Sequence, residues 1–399
     1  MKMNRFKQRV SCLVLALSLM VGLGLFDNNT NNQYLENTIF TVEVQAKKAN
    51  VDITYYDSAK TLKNKETVTT YHSNGKKKKV TVYKYNKANQ VKYIIKETVY
   101  HSTGKLKSLT TYYDNALVKE RETRVKEYLT ANKYGVITSH ILKVDHSKRT
   151  REKYFYQKNT KYSSKKEKSL VRIDYYAYNY GTKKQVKTGY STYKNGKKVK
   201  TDILLKNVPY YNQKKEGYLS GCEFFSLRMA LAYKGVKVKA ETLYNNMNKS
   251  MSKPYKKNGV WYWDNPDKMF LGDPKKLMLK DANWGINPKG LLPLATMYRD
   301  AKIKENASLT YIQNQLREGN PVIVWGSARF NKPGNFFYFT DTDGNKRFTY
   351  GNFHVYLVIG MDDKTVTIKD PYYEGTKVIS RSQFKQSYEK YGKKVMSIL

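Results

Sequence analysis

Residues 206–399 contain one cysteine, Cys222, and one histidine, His354. A thiol and an imidazole are the two halves of nucleophilic thiol chemistry: the thiolate attacks a carbonyl, and the imidazole takes its proton and later returns it near neutral pH. Asp370 follows His354 by sixteen residues, and a carboxylate brought beside an imidazole holds it in the tautomer that can act as a base. Acyl chemistry also needs donors for the oxyanion that forms on attack. The backbone amide of Cys222 is one candidate, and a side-chain amide upstream is the second. Gln213, nine residues before Cys222, fits that role, and chemistry alone does not exclude its neighbour Asn212. The bland alternatives are a small buried core cysteine, a strand histidine and a turn aspartate.

The elements that must position these residues are legible in the same stretch of chain. Cys222 lies in GYLSGCEFFSLRMALAYKG, residues 217–235, where Ser220 and Glu223 stand three apart before an apolar run. That spacing predicts a capping box with Ser220 as N-cap and Cys222 as the second helical residue. Free amides and the positive end of the helix dipole at such a position favour the thiolate. Phe225, Met229 and Ala232 mark the apolar side of the helix, and Gly235 marks its end. HVYLVIGMD from His354 and TVTIKD from Thr365 read as strands joined by a turn at Asp362-Asp363-Lys364, so antiparallel pairing would return Asp370 to His354. PVIVWG from Pro321 reads as a third strand, and helices are expected from Pro288 to about Asp300 and from Leu309 to Glu318. Helices first and strands after make this an α+β domain.

Two features of the domain are easily over-read. Asp341-Thr342-Asp343-Gly344 begins like a calcium loop, but the later ligands are missing, so a hairpin turn is expected and neither metal nor any other cofactor. Trp261, Trp263, Trp284 and Trp325 are expected to serve mainly as core and cleft-wall packing.

Residues 47–204 have another character, rich in Lys, Tyr, Thr, Val and Asn and free of cysteine and proline. Tyr71, Tyr85, Tyr100, Tyr113 and Tyr128 recur at intervals of 14, 15, 13 and 15 residues, with turn formers such as YHSNGK and YHSTGK at these points. Runs such as KKVTVYKY between them have strand character, and Asn74-Gly75 and Asn195-Gly196 predict two-residue hairpin turns. The region therefore reads as an all-β antiparallel meander of hairpins, with tyrosine supplying much of the apolar area. The register fades between about Asn132 and Ser169.

The chain carries a net charge of +41. Residues 47–205 hold 38 Lys+Arg against 13 Asp+Glu, and residues 206–399 hold 32 against 17, so the repeats are the more basic part. A field of that sign attracts polyanions. At the N-terminus Lys2, Arg5, Lys7 and Arg9 precede an apolar run from Val10 to Phe26. This has the form of an export signal within residues 1–46, with a small-residue cleavage site at Val44-Gln45-Ala46 or, alternatively, an uncleaved anchor. No later segment is apolar enough to span a membrane. Export would make the protein secreted or surface-bound, with an anionic cell-wall polymer as partner of the repeats and no physiological nucleic acid. Cys12 lies inside the signal run, leaving Cys222 without a disulfide partner, and an unpaired thiol in an oxidising compartment is tolerated when buried or needed for chemistry.

In the order VPYYNQ, SGCEFFSLRMAL, FLGDP, WGINPKGLLPLA, GNPVIVW, HVYLVIGMDD and KDPYYEG, the segment 205–399 resembles the double-glycine-peptidase-like (bacteriocin-processing-like) branch of papain-like cysteine peptidases. The resemblance implies a papain-like fold and a peptide or protein substrate. It also implies Cys222 as nucleophile, His354 as base and acid, Asp370 as its orienting residue and Gln213 as oxyanion donor. Phe353 stands where that family often has glycine before the histidine. The segment 47–204 weakly resembles the tandem hairpin repeats with NGK turns of bacterial surface proteins.

Overall fold

The computed structural model describes residues 49–88, 90, 92–112, 119–125, 140–156, 170–277, 283–331, 334, 336–373 and 375–399. The expected signal segment, Cys12, and the repeat landmarks Tyr113 and Tyr128 lie outside the described residues. Among the described residues no helix is long and apolar enough to cross a membrane.

The basic region is a meander of antiparallel strands. It runs through β1 (Asn50–Tyr55), β2 (Lys63–Tyr71), β3 (Lys77–Tyr85), β4 (Lys92–Tyr100), β5 (Leu106–Tyr112) and β6 (Lys119–Val125). It continues through β7 (His140–Asp145), β8 (Thr150–Tyr156), β9 (Leu170–Asn179), β10 (Lys184–Lys194) and β11 (Lys197–Leu204). Each strand pairs with the next. The two Asn-Gly turns differ from one another. Asn195 and Gly196 both have positive φ, 51° and 79°, and close the expected two-residue turn between Lys194 and Lys197. Asn74-Gly75 does not: His72 pairs with Lys76 around a three-residue loop in which Gly75 alone takes the left-handed conformation. The Asn74 side chain is spent accepting the Lys76 amide at 3.1 Å, and the extra residue is absorbed as a bulge between Thr70 and Tyr71.

The remainder mixes helices and strands. α1 (Cys222–Tyr233) and α2 (Ala240–Asn246) come first, then the short strands β12 (Lys249–Ser250), β13 (Tyr255–Lys257), β14 (Val260–Trp263) and β15 (Phe270–Leu271). α3 (Pro288–Thr296), β16 (Ala301–Lys304), α4 (Leu309–Arg317) and β17 (Val322–Ser327) follow. The hairpin β18 (Phe336–Asp341) and β19 (Lys346–Tyr350) leads into β20 (Phe353–Asp362), β21 (Thr365–Lys369), β22 (Thr376–Ser380), α5 (Arg381–Lys390) and β23 (Val395–Ile398). Asp341 closes the hairpin with its carboxylate, accepting the Asn345 amide at 2.8 Å and the Arg347 guanidinium at 2.7 Å, so the acidic run is a turn.

β20 is the hub of the sheet. It pairs with β17 from Phe353 to Val358, with β21 from Leu357 to Met361, and with β11 from Gly360 to Asp362. Because β21 overlaps both other pairings, β17 and β11 must share the opposite edge of β20. The repeat meander thus runs without a break into the sheet of the second half. Nine of the ten residues of β20 are buried, as expected of a strand covered on both faces. α1 is buried all round except at Arg228, which explains its poorly one-sided pattern in the sequence. Ile173, Tyr175 and Ile203 from the repeats, and Leu205 directly after them, join its core.

Candidate functional site

The site is assembled from α1, the β20–β21 pair and the segment before α1. Cys222 opens α1, but not in the expected way. Gly221 is the N-cap, no side chain caps the helix, and Cys222 is the first helical residue. The capping box between Ser220 and Glu223 does not form because both side chains are committed elsewhere. Ser220 donates to the carbonyl of Lys276 at 2.5 Å, and Glu223 turns into the core. The sequence pattern was local, whereas these partners lie tens of residues away.

The turn at Asp362-Asp363-Lys364 returns the chain as expected. His354 Nε2 and Asp370 Oδ1 are 2.9 Å apart, and both residues are buried. With Nε2–H donating to the carboxylate, Nδ1 keeps the lone pair and is the nitrogen free to act as base. The same Asp370 oxygen accepts the amides of Tyr372 and Tyr373 at 3.0 and 3.1 Å, and Lys377 Nζ lies 3.7 Å from the other. Burial opposes the charge on Asp370, but the His354 charge and hydrogen bond and these amides outweigh it and hold the carboxyl well below the usual range.

Gln213 is tied to the same corner. Its amide donates to the carbonyl of Pro371 at 2.9 Å, its carbonyl accepts from Tyr218, and its side-chain Nε2 donates to Leu219 O at 3.3 Å. The side chain is 1% exposed and Oε1 has no partner among the described residues. A primary amide has two N–H donors, so one remains for an oxyanion. Asn212 is employed otherwise, with Oδ1 accepting the Lys215 amide at 3.0 Å in a local turn. The two amides thus have different partners.

Glu223, expected above only as a helix cap, lies beside the Cys222 thiol. Glu223 is fully buried, with Oε2 3.3 Å from Cys222 Sγ and Oε1 accepting the Ile286 amide at 2.9 Å. Burial pushes its carboxyl up to about 7 despite the Ile286 hydrogen bond. Burial and then the Glu223 charge push the Cys222 thiol well up, against a backbone hydrogen bond from Val355 that favours the thiolate. An acidic residue directly after a candidate nucleophile was the available signal.

Phe353 forms a wall. It is 4% exposed, its ring centroid 5.0 Å from that of Trp284 and 5.9 Å from that of Tyr391. Behind it lies a cavity of about 230 Å³ also bordered by Trp325, Phe339 and Tyr350. Trp263, Trp284 and Trp325 are buried, and Trp261 is the exposed one. No cluster of metal-ligating side chains occurs among the described residues.

Comparisons with known proteins concern the second half of the chain. The model of the Peptidase_C39 like family matches residues 205–396. The uncharacterized protein YvpB of Bacillus subtilis (strain 168) is 30% identical over 195 residues, covering 48% of this chain and 74% of YvpB. A solved structure assigned to the C39-like peptidases of Bacillus anthracis is 26% identical, covers 50% of this chain and 97% of its own, and superposes with a TM-score of 0.44.

Proposed function

We infer, for a chain that belongs to the Peptidase_C39 like family, that the 205–399 segment is a papain-like cysteine peptidase, or a closely related thiol amide hydrolase. We read the whole chain as an exported, surface-associated enzyme. One observation carries the reading: the buried His354–Asp370 pair at 2.9 Å, set at the corner where α1 begins with Cys222. In the reaction the Cys222 proton passes to His354 Nδ1 as sulfur attacks the substrate carbonyl. The oxyanion is received by the Cys222 amide and the Gln213 side chain. On collapse His354 gives the proton to the leaving amine, and a water activated by His354 then hydrolyses the thioester. Cys222→Ala is expected to abolish turnover of a peptide substrate while leaving the melting curve in place, and iodoacetamide is expected to label the protein once. Turnover that survives Cys222→Ala would sink the assignment. Product analysis separates hydrolysis from transfer of the acyl group to an amine.

The repeats are read as the module that holds the enzyme on an anionic wall polymer. Cations lie across the tyrosines of this sheet. Lys92 Nζ is 4.1 Å from the Tyr83 ring centroid and Lys143 Nζ 4.2 Å from that of Tyr154, while Arg172, Lys187 and Lys200 surround Tyr190. The tyrosine faces are thus covered by charge, so binding through lysine and arginine is favoured over stacking of bare rings on sugars.

A second reading is a wall-binding protein whose peptidase-like domain is silent. It is favoured by a hydrogen bond from the thiol to Glu223 and by the burial of Cys222. Lack of alkylation of Cys222 at any pH below 9 would select it.

A further inference from the structure

Glu223 has no part in the scheme above, yet it occupies the most constrained seat in the site. Consecutive residues of α1 place its carboxylate and the Cys222 thiol side by side, with Sγ donating to Oε2 across 3.3 Å. The other oxygen is held by the Ile286 amide, and Ile286 is itself fixed by its carbonyl accepting Trp325 Nε1 at 2.8 Å. Gly285 shapes the pocket: a Cβ there would fall 2.2 Å from Glu223 Oε1 and 2.8 Å from the Phe353 ring. The carboxylate forms no ion pair with lysine or arginine among the described residues, although it is wholly buried. A buried charge is normally paired, so an uncompensated one beside a nucleophile calls for a role.

We propose that Glu223 is a brake on Cys222, a positioning residue that holds the sulfur as a hydrogen-bonded thiol until the carboxylate loses its charge. The proposal rests on the reading of Cys222 as the nucleophile. Thiolate and carboxylate have the same sign, and two such groups 3.3 Å apart in a dry site resist being ionised together. The groups that face the pair are few. From α1 there are Cys222 and Glu223 themselves; from β20 the His354 imidazole and the Val355 amide; from the end of β21 Asp370; and from the segment before α3 the Ile286 amide. The Val355 amide favours the thiolate, Glu223 and Asp370 oppose it, and the His354 charge favours the Glu223 carboxylate. Asp370 already has the imidazole and two amides for partners, so Glu223 is the one whose charge bears directly on sulfur. Protonation of Glu223, or its withdrawal from sulfur when a substrate enters, would lift the opposition and let the Cys222 proton pass to His354.

The test is the rate of iodoacetamide alkylation at Cys222 in the full chain, read by peptide mass mapping between pH 5 and 10, for the wild type and Glu223→Gln. The glutamine keeps an acceptor for the Ile286 amide and removes only the charge. The proposal expects alkylation at pH 7 at least tenfold faster in Glu223→Gln, with the midpoint of the profile at least one pH unit lower. Superimposable profiles, or a slower variant with an unchanged melting curve, would overturn it. A second measurement needs no variant. The infrared S–H band of the wild type should shift as pH falls from 8 to 5 and the carboxylate acceptor is lost, and a band that does not move over that range would also overturn it. The two readings fail separately. If Cys222→Ala abolishes turnover but the Glu223 experiments show no effect, the brake is wrong and the peptidase stands. If Glu223→Gln speeds alkylation but Cys222→Ala leaves turnover intact, the reverse holds.

Discussion

Asp370 and Glu223 are two buried carboxylates in one corner whose surroundings drive them apart. Asp370 is held ionised by an imidazole and two amides, while Glu223 has the Ile286 amide, its own backbone amide and a thiol, which do not offset its burial. Asp370→Asn is expected to lose turnover by about 10²- to 10⁴-fold through the wrong imidazole tautomer. The check is kcat across pH, and a loss confined to KM would argue that Asp370 only shapes the cleft. Glu223 should also be visible in stability. Its carboxyl titrates near 4.5 when unfolded and near about 7 when folded. The folded state therefore holds the proton more tightly, and that contribution is complete below about pH 4.5 and lost as pH rises to about 7. For a fully buried group the loss amounts to about 3 kcal/mol. Glu223→Gln should accordingly melt several degrees above the wild type at pH 8 and close to it at pH 4.5, and parallel Tm profiles would show that Glu223 does not titrate there. At this scale Cys222 and His354 stood out as candidates because each is the one residue of its type in residues 206–399, and Asp370 because the turn between two strand-like runs brings it back beside His354. Glu223 did not, because the amide it reaches is 63 residues away.

Among the elements, the capping box expected at Ser220 occurs instead at the start of α5. There Ser380 Oγ accepts the Gln383 amide at 3.1 Å, and the Gln383 side chain accepts the Ser380 amide in return. α5 matters to the site because Ser387 Oγ accepts the Ser327 amide at 2.7 Å and lies 3.3 Å from the Tyr356 hydroxyl, bracing β17 and β20 close to His354. Ser380→Ala should cost about 1 kcal/mol in denaturant unfolding. Because the cap is exposed and remote from sulfur, the pH profile of Cys222 alkylation should be unchanged, and a shifted profile would show that α5 controls the site more directly. Why one S-x-x-E/Q pattern caps a helix and the other does not is a matter of surroundings. Ser380 and Gln383 face solvent and have no better partners, whereas Ser220 and Glu223 are enclosed by segments that offer them. α1, α3, α4 and the strands β17, β20 and β21 were readable from pattern and punctuation, whereas α2 and α5 were not anticipated. The short strands between α2 and α3 were not, since two to four residues carry no period.

Across the whole molecule, the basic meander and the peptidase-like half share one sheet through the β11–β20 pairing. α4 reinforces the joint, where Arg317 O accepts Thr188 Oγ1 at 2.9 Å and Glu318 meets Lys148 at 2.6 Å. A fragment beginning at Leu205 loses Ile203, which is 1% exposed, and the strand that covers the end of β20. It should melt about 5 °C or more below a fragment beginning at Leu170, and equal melting temperatures would mean that the joint contributes little. The charge distribution gives a separate expectation. Retention of the full chain on an anionic polymer such as teichoic acid should fall by about tenfold or more between 50 and 200 mM salt, since exposed charges are screened over a Debye length of about 10 Å at 0.1 M. Retention insensitive to salt would remove the electrostatic account of the repeats.

The sequence by itself determined the chemistry on offer and the periods of the elements. Residue type, scarcity and spacing are local properties, sufficient to name Cys222, His354 and Asp370 as candidates and to separate a tyrosine-lysine hairpin region from an α+β half. Only the tertiary structure decided which side chains meet. It tied the Gln213 backbone to Pro371 while Asn212 closes a local turn, turned Glu223 from an expected helix cap into a buried neighbour of the Cys222 thiol, and joined the repeats to β20. Each of these contacts links segments far apart in the chain, and long-range partners compete successfully with local ones because burial makes an unsatisfied polar group costly wherever it sits.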